Sequence, residues 1–457
     1  MRTGLFKWLP AAALLVAAAA AHAGTFEKTL DNGLKVIVKE DHRAPVVVQQ
    51  IWYRVGSMDE ITGKTGISHA LEHMMFKGTR TVPPGQFSVR IAAAGGRENA
   101  FTGYDYTAYF QQLHKAHLPL AMQLESDRME NLVVSPAEFA KEIRVVMEER
   151  RWRTDDDPHS LLQEELMAAA YQEHPYHHPV IGWMDDLQHL SAADVKAWYT
   201  RWYDPSNAVL VVAGDVDPAA VFALAQKYYG VIPGHPLPPR RAYIEPKQEG
   251  IKRIVVKAPA ELPYLLMAYH APVLRDTTHD WQPYALQVLA GILNGNGAAR
   301  LDKSLVREQR LASEVDVGYD TVSRGPGLFM LAGTPSQGKT AAQLEAGIRA
   351  QLARLAKDGV KPDELKRVKA QVTAAEVYKR DSVFYQAMQI GQLESVGLSY
   401  KDIPLMLQKV QEVTAQQVQQ VARDIFNDDN LTVAVLDPQP LAGRRMPMVP
   451  GGGANVR

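Results

Sequence analysis

Apolar and polar residues alternate over residues 25–57, the period expected of half-buried β-strands. Asp31, Asn32 and Gly33 interrupt the alternation, and such a turn between two alternating runs predicts a β-hairpin. A second alternating stretch, rich in tyrosine and threonine, lies within residues 95–114. Apolar residues elsewhere in this part of the chain recur at helical spacing, which predicts helices at 65–76, 85–93, 117–131 and 136–152.

One pattern of helix, polar turn and buried strand occurs twice, 223 residues apart. The first copy begins at Leu190 as LSAADVKAWYTRWYDPSNAVLVVAGDVDP, and the second begins at Val413 as VTAQQVQQVARDIFNDDNLTVAVLDPQP. Without a gap, Val195 falls on Val418 and the two terminal strands coincide. A generic pattern shared by chance is the alternative, but the gapless match favours a duplicated chain.

The duplication predicts an α+β fold of two homologous halves, each with an antiparallel-rich sheet flanked by helices. We assign the first half to residues 24–230 and the second half to residues 251–442. Residues 231–250 are rich in proline and show neither a helical nor a strand period, so we predict a linker there. The glycine- and proline-containing segment 443–457 is predicted to be disordered.

The composition is that of an ordinary globular protein, with 46% hydrophobic and 22% charged residues in a chain of 457. This length exceeds that of one ordinary domain, in agreement with two halves. With 50 basic and 51 acidic residues, no global charge favours nucleic acid or an anionic membrane as a partner. There are no cysteines, so a metal site must use histidine and carboxylate ligands.

Residues 1–23 have the features of a cleavable secretory signal peptide. Two basic residues, Arg2 and Lys7, precede an apolar stretch, and Ala21-His22-Ala23 offers small residues at the positions that cleavage requires. An uncleaved membrane anchor is the alternative, but the apolar run is short for a spanning helix. No later segment approaches the spanning length, so we predict a periplasmic or secreted protein without a membrane span after cleavage.

The segment GISHALEHMMFKGT, residues 66–79, places His69, Glu72 and His73 on an otherwise apolar predicted helix. Residues four apart on a helix lie within about 40° of each other and roughly 6 Å along its axis, so both imidazoles can reach one ion. Zinc lowers the pKa of water, and Glu72 is placed to accept that proton as general base. Two surface histidines beside a salt-bridging glutamate are the alternative, which the apolar flanks and the H-x-x-E-H order disfavour.

A catalytic zinc site needs a third protein ligand and an open coordination position. The predicted helix 136–152 offers four glutamates, of which Glu142 and Glu149 are seven residues apart and share one face. Spacing alone does not choose the ligand from the four candidates Glu138, Glu142, Glu148 and Glu149.

The motif HALEH with its FKGT continuation is followed about 75 residues later by E-x6-E on a predicted helix, with Gly-Gly-x-x-Asn-Ala between them. These features resemble the pitrilysin/insulinase family of zinc peptidases, which includes the mitochondrial processing peptidase. The resemblance implies one Zn²⁺ per chain, held by His69, His73 and Glu149, with Glu72 as general base. It implies Glu142 as a carboxylate that supports a ligand. It also implies two halves that form a clam shell around a cavity.

In that family, the strand that matches residues 96–102 pairs with an extended peptide by adding it to a sheet edge. The resemblance therefore implies that Asn99, Ala100 and Phe101 bind the peptide substrate, mainly through the main chain. Ordinary strand packing and turn chemistry are the alternative explanation for these three residues.

The second half lacks an H-x-x-E-H motif, and its counterpart around residues 286–301 carries no metal ligand. Self-sufficient family members also have an arginine and, seven residues on, a tyrosine that help to hold the substrate. Arg307 matches this arginine, but the seventh residue is Glu314. Because some bacterial relatives work as pairs of chains, the resemblance implies a second family subunit that supplies the Arg/Tyr pair. A homodimer is the other expected state.

Together these features predict a periplasmic zinc-dependent endopeptidase that hydrolyses peptides or unfolded segments. A non-catalytic assembly subunit, as in family members built into respiratory complexes, is the main alternative. The intact H-x-x-E-H motif and Glu149 argue against this alternative, since a structural role needs neither.

Overall fold

The computed structural model describes residues 24–440, which form two β-sheets with helices packed on them. The predicted signal peptide, 1–23, and the predicted tail, 443–457, lie outside the described residues. All strands of the first sheet precede residue 215, and all strands of the second sheet follow residue 251. The predicted α+β fold of two halves is therefore confirmed.

The first sheet has six strands in the spatial order β1-β2-β6-β3-β5-β4. Their bounds are β1 (Thr25–Thr29), β2 (Lys35–Glu40), β3 (Val46–Tyr53), β4 (Arg97–Thr102), β5 (Thr107–His114) and β6 (Ala208–Gly214). Neighbouring strands are antiparallel except β2 and β6, which are parallel. β1 and β2 form the predicted hairpin, and Gly33 in its turn has a φ of 88°, which glycine adopts without strain. β4 lies at one edge, so one side of its main chain is free of strand pairing.

Eight helices belong to the first half within the described residues. They are α1 (Ile67–Met74), α2 (Gln86–Ala93), α3 (Leu118–Asn131), α4 (Pro136–Arg150), α5 (Pro158–Ala170), α6 (Met184–His189), α7 (Ala192–Trp202) and α8 (Pro218–Tyr228). The four helices that hydrophobic periodicity predicts correspond to α1 to α4 with ends within two residues, so these predictions are confirmed. One core joins one face of the sheet to these helices, with Ile51 and Leu210 from the strands against Leu71, Val146 and Val195.

The second half repeats this plan with five strands in the order β7-β11-β8-β10-β9. The strands are β7 (Lys252–Pro259), β8 (Tyr264–Ala271), β9 (Ala312–Tyr319), β10 (Gly327–Pro335) and β11 (Leu431–Gln439). Its helices are α9 (Gln282–Leu293), α10 (Ala341–Asp358), α11 (Pro362–Lys379), α12 (Val383–Ser395), α13 (Ile403–Glu412) and α14 (Ala415–Ile425). A separate apolar core lies between this sheet and its helices.

The two matching sequence segments occupy equivalent places in the two halves. Ser191 and Thr414 are the N-cap residues of α7 and α14, and each forms a capping box with the third residue of its helix. The strands that follow, β6 and β11, lie parallel to β2 and β7 respectively and antiparallel to the next strand. The same local sequence pattern therefore fills the same position twice, as a duplication predicts.

Each sheet is covered on its other face by a helix from the opposite half. Leu162 and Leu166 of α5 pack against Leu266 and Leu436 of the second sheet. In the reverse direction, α12 packs on β3 and β6 of the first sheet. The halves therefore share cores, a feature that the sequence did not predict.

A glycine allows α12 to approach the first sheet closely. A Cβ atom at Gly391 would lie 2.1 Å from Cε2 and Nε1 of Trp52, whose ring is completely buried. No carbon atom can approach a ring to this distance, so the packing of α12 depends on the absence of a side chain at this position.

We expect Gly391→Ala to destabilise the protein even though alanine favours helix by about 1 kcal/mol. Overpacking a rigid core costs about 1–3 kcal/mol, so the net result is a lower urea midpoint. The same substitution in a Trp52→Phe background should cost less, because the smaller ring leaves room. A stabilised Gly391→Ala variant would show that α12 and Trp52 are not in close contact.

The linker and one loop of the second half are fixed to the first half by carboxylates. Residues 231–250 contain no helix or strand, and Glu245 accepts hydrogen bonds from three successive main-chain N–H groups at residues 172–174. Arg324, between β9 and β10, donates two hydrogen bonds to Asp59, of 2.8 and 2.9 Å. Its main-chain N–H and its guanidinium also bind Asp105 in the β4–β5 turn. The second half therefore supports the end of the edge strand β4.

No helix within residues 24–440 combines the length and the apolar composition that crossing a bilayer requires.

Candidate active site

A buried carboxylate fixes the start of the helix that carries the H-x-x-E-H motif. α1 follows Gly66, whose φ of 82° is left-handed. Glu60, which is 2% exposed, accepts hydrogen bonds of 2.8 Å from the main-chain N–H groups of Gly66 and Ser68. These are among the N–H groups that a helix start leaves without partners. The sequence did not indicate Glu60, because it precedes the helix and belongs to no capping motif.

Burial raises the pKa of Glu60 to about 8. A carboxyl whose pKa is higher in the folded protein stabilises the fold below its unfolded pKa, near 4.3, and this contribution is lost as the pH rises through about 8. We therefore expect wild-type stability to fall between about pH 5 and pH 8, and the stability of Glu60→Gln to fall less. Urea midpoints of both proteins across this interval measure the difference, and parallel curves would contradict the prediction.

Two helices bring together three side chains that could hold a metal ion. His69 and His73 lie one turn apart on α1, and α4 packs beside them with Glu149 facing both. Nε2 of His73 is 3.3 Å from Oε2 of Glu149, and Nε2 of His69 is 3.9 Å from the same oxygen. The three ligand atoms lie within 4.8 Å of one another. Atoms at zinc bond lengths of about 2.0–2.1 Å in a tetrahedral arrangement are about 3.4 Å apart, so the group fits Zn²⁺.

The protonation states of His69 and Glu149 suit metal binding, whereas His73 would have to lose a proton that Glu149 helps it to hold. Burial lowers the pKa of His69 to about 4, so its ring is neutral at pH 7. Burial would also lower the pKa of His73, but the hydrogen bond and the charge of Glu149 outweigh burial and raise that pKa. Burial would raise the pKa of Glu149, but the histidines and Arg153 lower it overall. Metal binding requires deprotonated ligands, and His69 and Glu149 are already in that form at neutral pH.

The structure distinguishes among the four glutamates that are candidates for the third ligand. Glu148 is 73% exposed and forms an ion pair with Arg151. It lines the cavity beside the two histidines but does not belong to their ligand group. Glu138 lies in the first turn of α4 and pairs with Lys141. Among the described residues, only Glu149 forms a ligand group with both histidines. The choice depends on how α4 crosses α1, which the helical period does not contain.

Further carboxylate contacts surround the ligand group. Oε2 of Glu142 lies 3.5 Å from Nδ1 of His73, and its Oε1 lies 2.7 Å from Nζ of Lys77. Oε1 of Glu149 lies 2.7 Å from Nη1 of Arg153. Each carboxylate thus directs one oxygen toward a histidine and the other toward a cation. The position of Glu142 beside His73 matches the supporting role that the resemblance implies.

Glu72 lies on the side of α1 that faces the edge strand β4. Burial raises the pKa of Glu72, and a hydrogen bond from Thr102 opposes this shift. Oγ1 of Thr102 donates to Oε2 of Glu72 at 2.5 Å. We did not predict Thr102 as a site residue. Strand alternation could have indicated it, because Thr102 shares a face with Ala100, which is buried in the core with α1.

These groups line a cavity of about 880 Å³. Its walls include the predicted substrate residues Asn99, Ala100 and Phe101, together with an apolar set: Phe76, Val145, Trp152, Val180 and Ile181. All the lining residues lie between positions 69 and 181, so the first half alone forms the walls of this cavity.

The three predicted substrate residues make different side-chain contacts. Ala100 is buried in the core, and the ring of Phe101 packs edge-on against Trp52 with ring centres 5.4 Å apart. Oδ1 of Asn99 accepts a hydrogen bond from the main-chain N–H of Ala100. All three residues belong to β4, whose main chain has a free edge beside Glu72. An extended peptide could pair with this edge.

The structure does not bring Arg307 to this cavity. Arg307 lies in a π-helical turn of the second half, Asp302–Glu308, where it is 54% exposed and 3.9 Å from Asp302. The next tyrosine, Tyr319, donates its hydroxyl to the main-chain oxygen of Pro272 and stacks on Phe329. Among the described residues, neither Arg307 nor any tyrosine therefore lies in the walls of this cavity.

In the second half, the position that corresponds to the ligand group of the first half is filled by helix packing. α9 contacts α14 and α11 there, as α1 contacts α7 and α4 in the first half. A Cβ atom at Gly291 of α9 would lie 2.7 Å from Cγ1 of Val368 of α11, so these helices pack directly where the first half holds its ligand group. Residues 24–440 accordingly contain one group with metal-ligand geometry.

Two family profiles match successive parts of the chain. Residues 35–183 match the profile described as insulinase, peptidase family M16, and residues 189–372 match the peptidase M16 inactive domain. The second description agrees with the closed ligand position in the second half.

The zinc protease PqqE of Helicobacter pylori is 32% identical over 418 residues, which cover 90% of this chain and 92% of that protein. A Bacillus subtilis protein named uncharacterized zinc protease YmxG is 24% identical, with 90% and 97% covered.

Solved structures have the same fold. A protease from Helicobacter pylori superposes with a TM-score of 0.86 at 29% identity, over 91% of this chain and all of that chain. The periplasmic protease PqqL of Escherichia coli gives a TM-score of 0.77 at 19% identity, over 91% of this chain and 48% of that chain. The H-x-x-E-H motif, the two-half fold and these relatives agree, and the chain belongs to the insulinase family of peptidases, family M16.

Proposed function

We propose that the chain is a zinc-dependent endopeptidase that hydrolyses peptides or unfolded segments. The observation that carries this proposal is the ligand group of His69, His73 and Glu149, with Glu72 beside it in one cavity. The names of relatives as zinc proteases support the same activity.

In the proposed site, His69, His73 and Glu149 hold one Zn²⁺ per chain. Bound Zn²⁺ supplies Lewis-acid chemistry, polarising a carbonyl oxygen and lowering the pKa of water toward about 7. Glu142 orients the ring of His73 through Nδ1, while Lys77 holds the other oxygen of Glu142. Partners of this kind change metal affinity or activity by about 10–100-fold when they are removed.

Glu72 is the general base of the proposed reaction. Its carboxylate removes a proton from the attacking water as the water oxygen bonds to the scissile carbonyl carbon. As the C–N bond breaks, the same carboxyl returns the proton to the leaving amine. The immediate products are a carboxylic acid and an amine. The second proton of the water then passes from the acid to the amine, which leaves a carboxylate and an ammonium group, and Glu72 ends in its starting form.

We propose that the substrate lies in extended form along the free edge of β4. Main-chain groups of Asn99, Ala100 and Phe101 would pair with the peptide, which provides affinity with little dependence on sequence. A folded protein already satisfies its own main-chain hydrogen bonds, so flexible peptides and unfolded segments are the expected substrates.

A periplasmic location and a second subunit complete the proposal. The signal features of residues 1–23 support export, and a protein of the same fold is a periplasmic protease in Escherichia coli. A second family subunit would supply the Arg/Tyr pair that the cavity walls lack, with a homodimer as the other arrangement.

The test is cleavage of an internally quenched, unstructured peptide by the purified mature chain. We expect cleavage with Zn²⁺, none after chelation, and recovery when Zn²⁺ is restored. Binding of one Zn²⁺ per chain without cleavage, by the protein alone and with a co-purified family subunit, would overturn the proposal. That result would favour the alternative of a non-catalytic assembly subunit, which the inactive-domain match of residues 189–372 leaves open.

A further inference from the structure

The described residues provide one hydrogen bond to the carboxylate that we propose as general base. Oγ1 of Thr102 donates to Oε2 of Glu72 at 2.5 Å. No hydrogen bond to Oε1 is formed within residues 24–440, and Glu72 lines the cavity. The two oxygens therefore differ: one is held by the protein, and the other remains available to a molecule in the cavity.

This difference matters for proton transfer. A general base must come within about 2.6–3.2 Å of the proton donor. A glutamate side chain has several rotatable bonds, so a carboxylate without a partner occupies several orientations. A short hydrogen bond from a hydroxyl to a carboxylate is among the strong ones and selects a single orientation.

We infer that Thr102 is a positioning residue, which holds Oε2 of Glu72 so that Oε1 faces the attacking water. The inference rests on the proposed function of Glu72. It extends that function by assigning a threonine whose role is to orient the base and which does not itself touch the reacting atoms.

The place of Thr102 in the fold adds a second consequence. Thr102 is the last residue of β4 and pairs with Thr107 of β5. The turn that follows is held by Arg324, which binds both the carboxylate and the main-chain oxygen of Asp105. The end of β4 is thus fixed by the second half. A peptide paired with β4 and the base bonded to Thr102 would be aligned by the same strand.

The test compares Thr102→Val, which removes the hydroxyl at nearly constant shape, with Thr102→Ser, which keeps it. We expect Thr102→Val to lower kcat by about tenfold or more with little change in KM, since the orientation of the base matters in the chemical step. Thr102→Ser should retain kcat within about threefold. In a Glu72→Gln background, Thr102→Val should cause no further loss, because the base it orients is already gone.

Thr107→Val is the matched control. Thr107 lies opposite Thr102 in the same strand pair, but its hydroxyl donates to the main-chain oxygen of Val55 at 2.9 Å. The control should lower stability and leave kcat unchanged. A fall in kcat that is equal in the two variants, or equal with and without Glu72, would mean that Thr102 has only a structural role and would overturn the inference.

Crystal structures of the zinc-loaded wild type and both Thr102 variants supply a readout that does not depend on activity. Oε2 of Glu72 should remain bonded to the hydroxyl at position 102 in the wild type and in Thr102→Ser, and the carboxylate should rotate in Thr102→Val. An unchanged carboxylate in Thr102→Val would overturn the inference. Failure of the proposed function would show separately, as zinc-loaded wild type that cleaves no peptide. The crystal structures would still decide whether Thr102 orients Glu72.

Discussion

Replacement of Glu72 by glutamine is expected to reduce peptide cleavage by about 100- to 10,000-fold, the range typical for loss of a general base. Glutamine has nearly the same shape and can still accept the hydrogen bond from Thr102. It cannot take a proton from water at neutral pH, so the step that creates the nucleophile fails. The proposed ligands His69, His73 and Glu149 are unchanged, and the variant should bind one Zn²⁺ as we expect of the wild type.

The measurement pairs initial rates on the quenched peptide with the zinc content of the same preparations. Zinc content separates loss of the base from loss of the metal, which would also stop the reaction. Retention of more than about a tenth of the wild-type rate by zinc-loaded Glu72→Gln would exclude Glu72 as the base. The reaction would then need another group in the cavity to accept the proton.

Glu149→Gln is expected to lower the affinity for Zn²⁺ by about 100-fold or more. Removal of a residue that only supports a ligand costs about 10–100-fold, so loss of a charged ligand should reach or exceed that range. The substitution removes the negative charge whose oxygen lies 3.3 and 3.9 Å from the two imidazole nitrogens. Two neutral histidines alone make a weak site for a dication.

Glu148→Gln provides a closely matched control. Glu148 has the same side chain and directly precedes Glu149 on α4. Its side chain, however, is 73% exposed and pairs with Arg151. Competition with a chromophoric chelator gives the dissociation constants of both variants. We expect the control to bind Zn²⁺ like the wild type. Weakened binding by Glu148→Gln with normal binding by Glu149→Gln would reverse the assignment of the third ligand.

Much of this fold follows from local sequence patterns. The helical periods predicted α1 to α4, and the turn at Asn32-Gly33 predicted the first hairpin, because each depends on residues close together in the chain. The repeated segments at Leu190 and Val413 predicted the two halves, since a duplicated sequence folds in the same way twice. His69, Glu72 and His73 were also recognisable, because one turn of helix sets their geometry.

Contacts between elements that are distant in the sequence were decided by the tertiary structure. The crossing of α1 and α4 brings Glu149 to the histidines and turns Glu148 to solvent, although the two residues are adjacent. The end of β4 brings Thr102 to Glu72 across 30 positions of sequence. The exchange of α5 and α12 between the halves likewise has no local signal.

The H-x-x-E-H motif, the elements that carry it and the duplication are all recognisable in the sequence alone. Three features depend on the folded chain: the glutamate that meets the histidines, the hydroxyl that holds Glu72, and the position of Arg307 away from the cavity. This division arises because a periodic pattern shows which face of an element is buried. It does not state which other element covers that face, or at what angle, and both depend on packing of the whole chain.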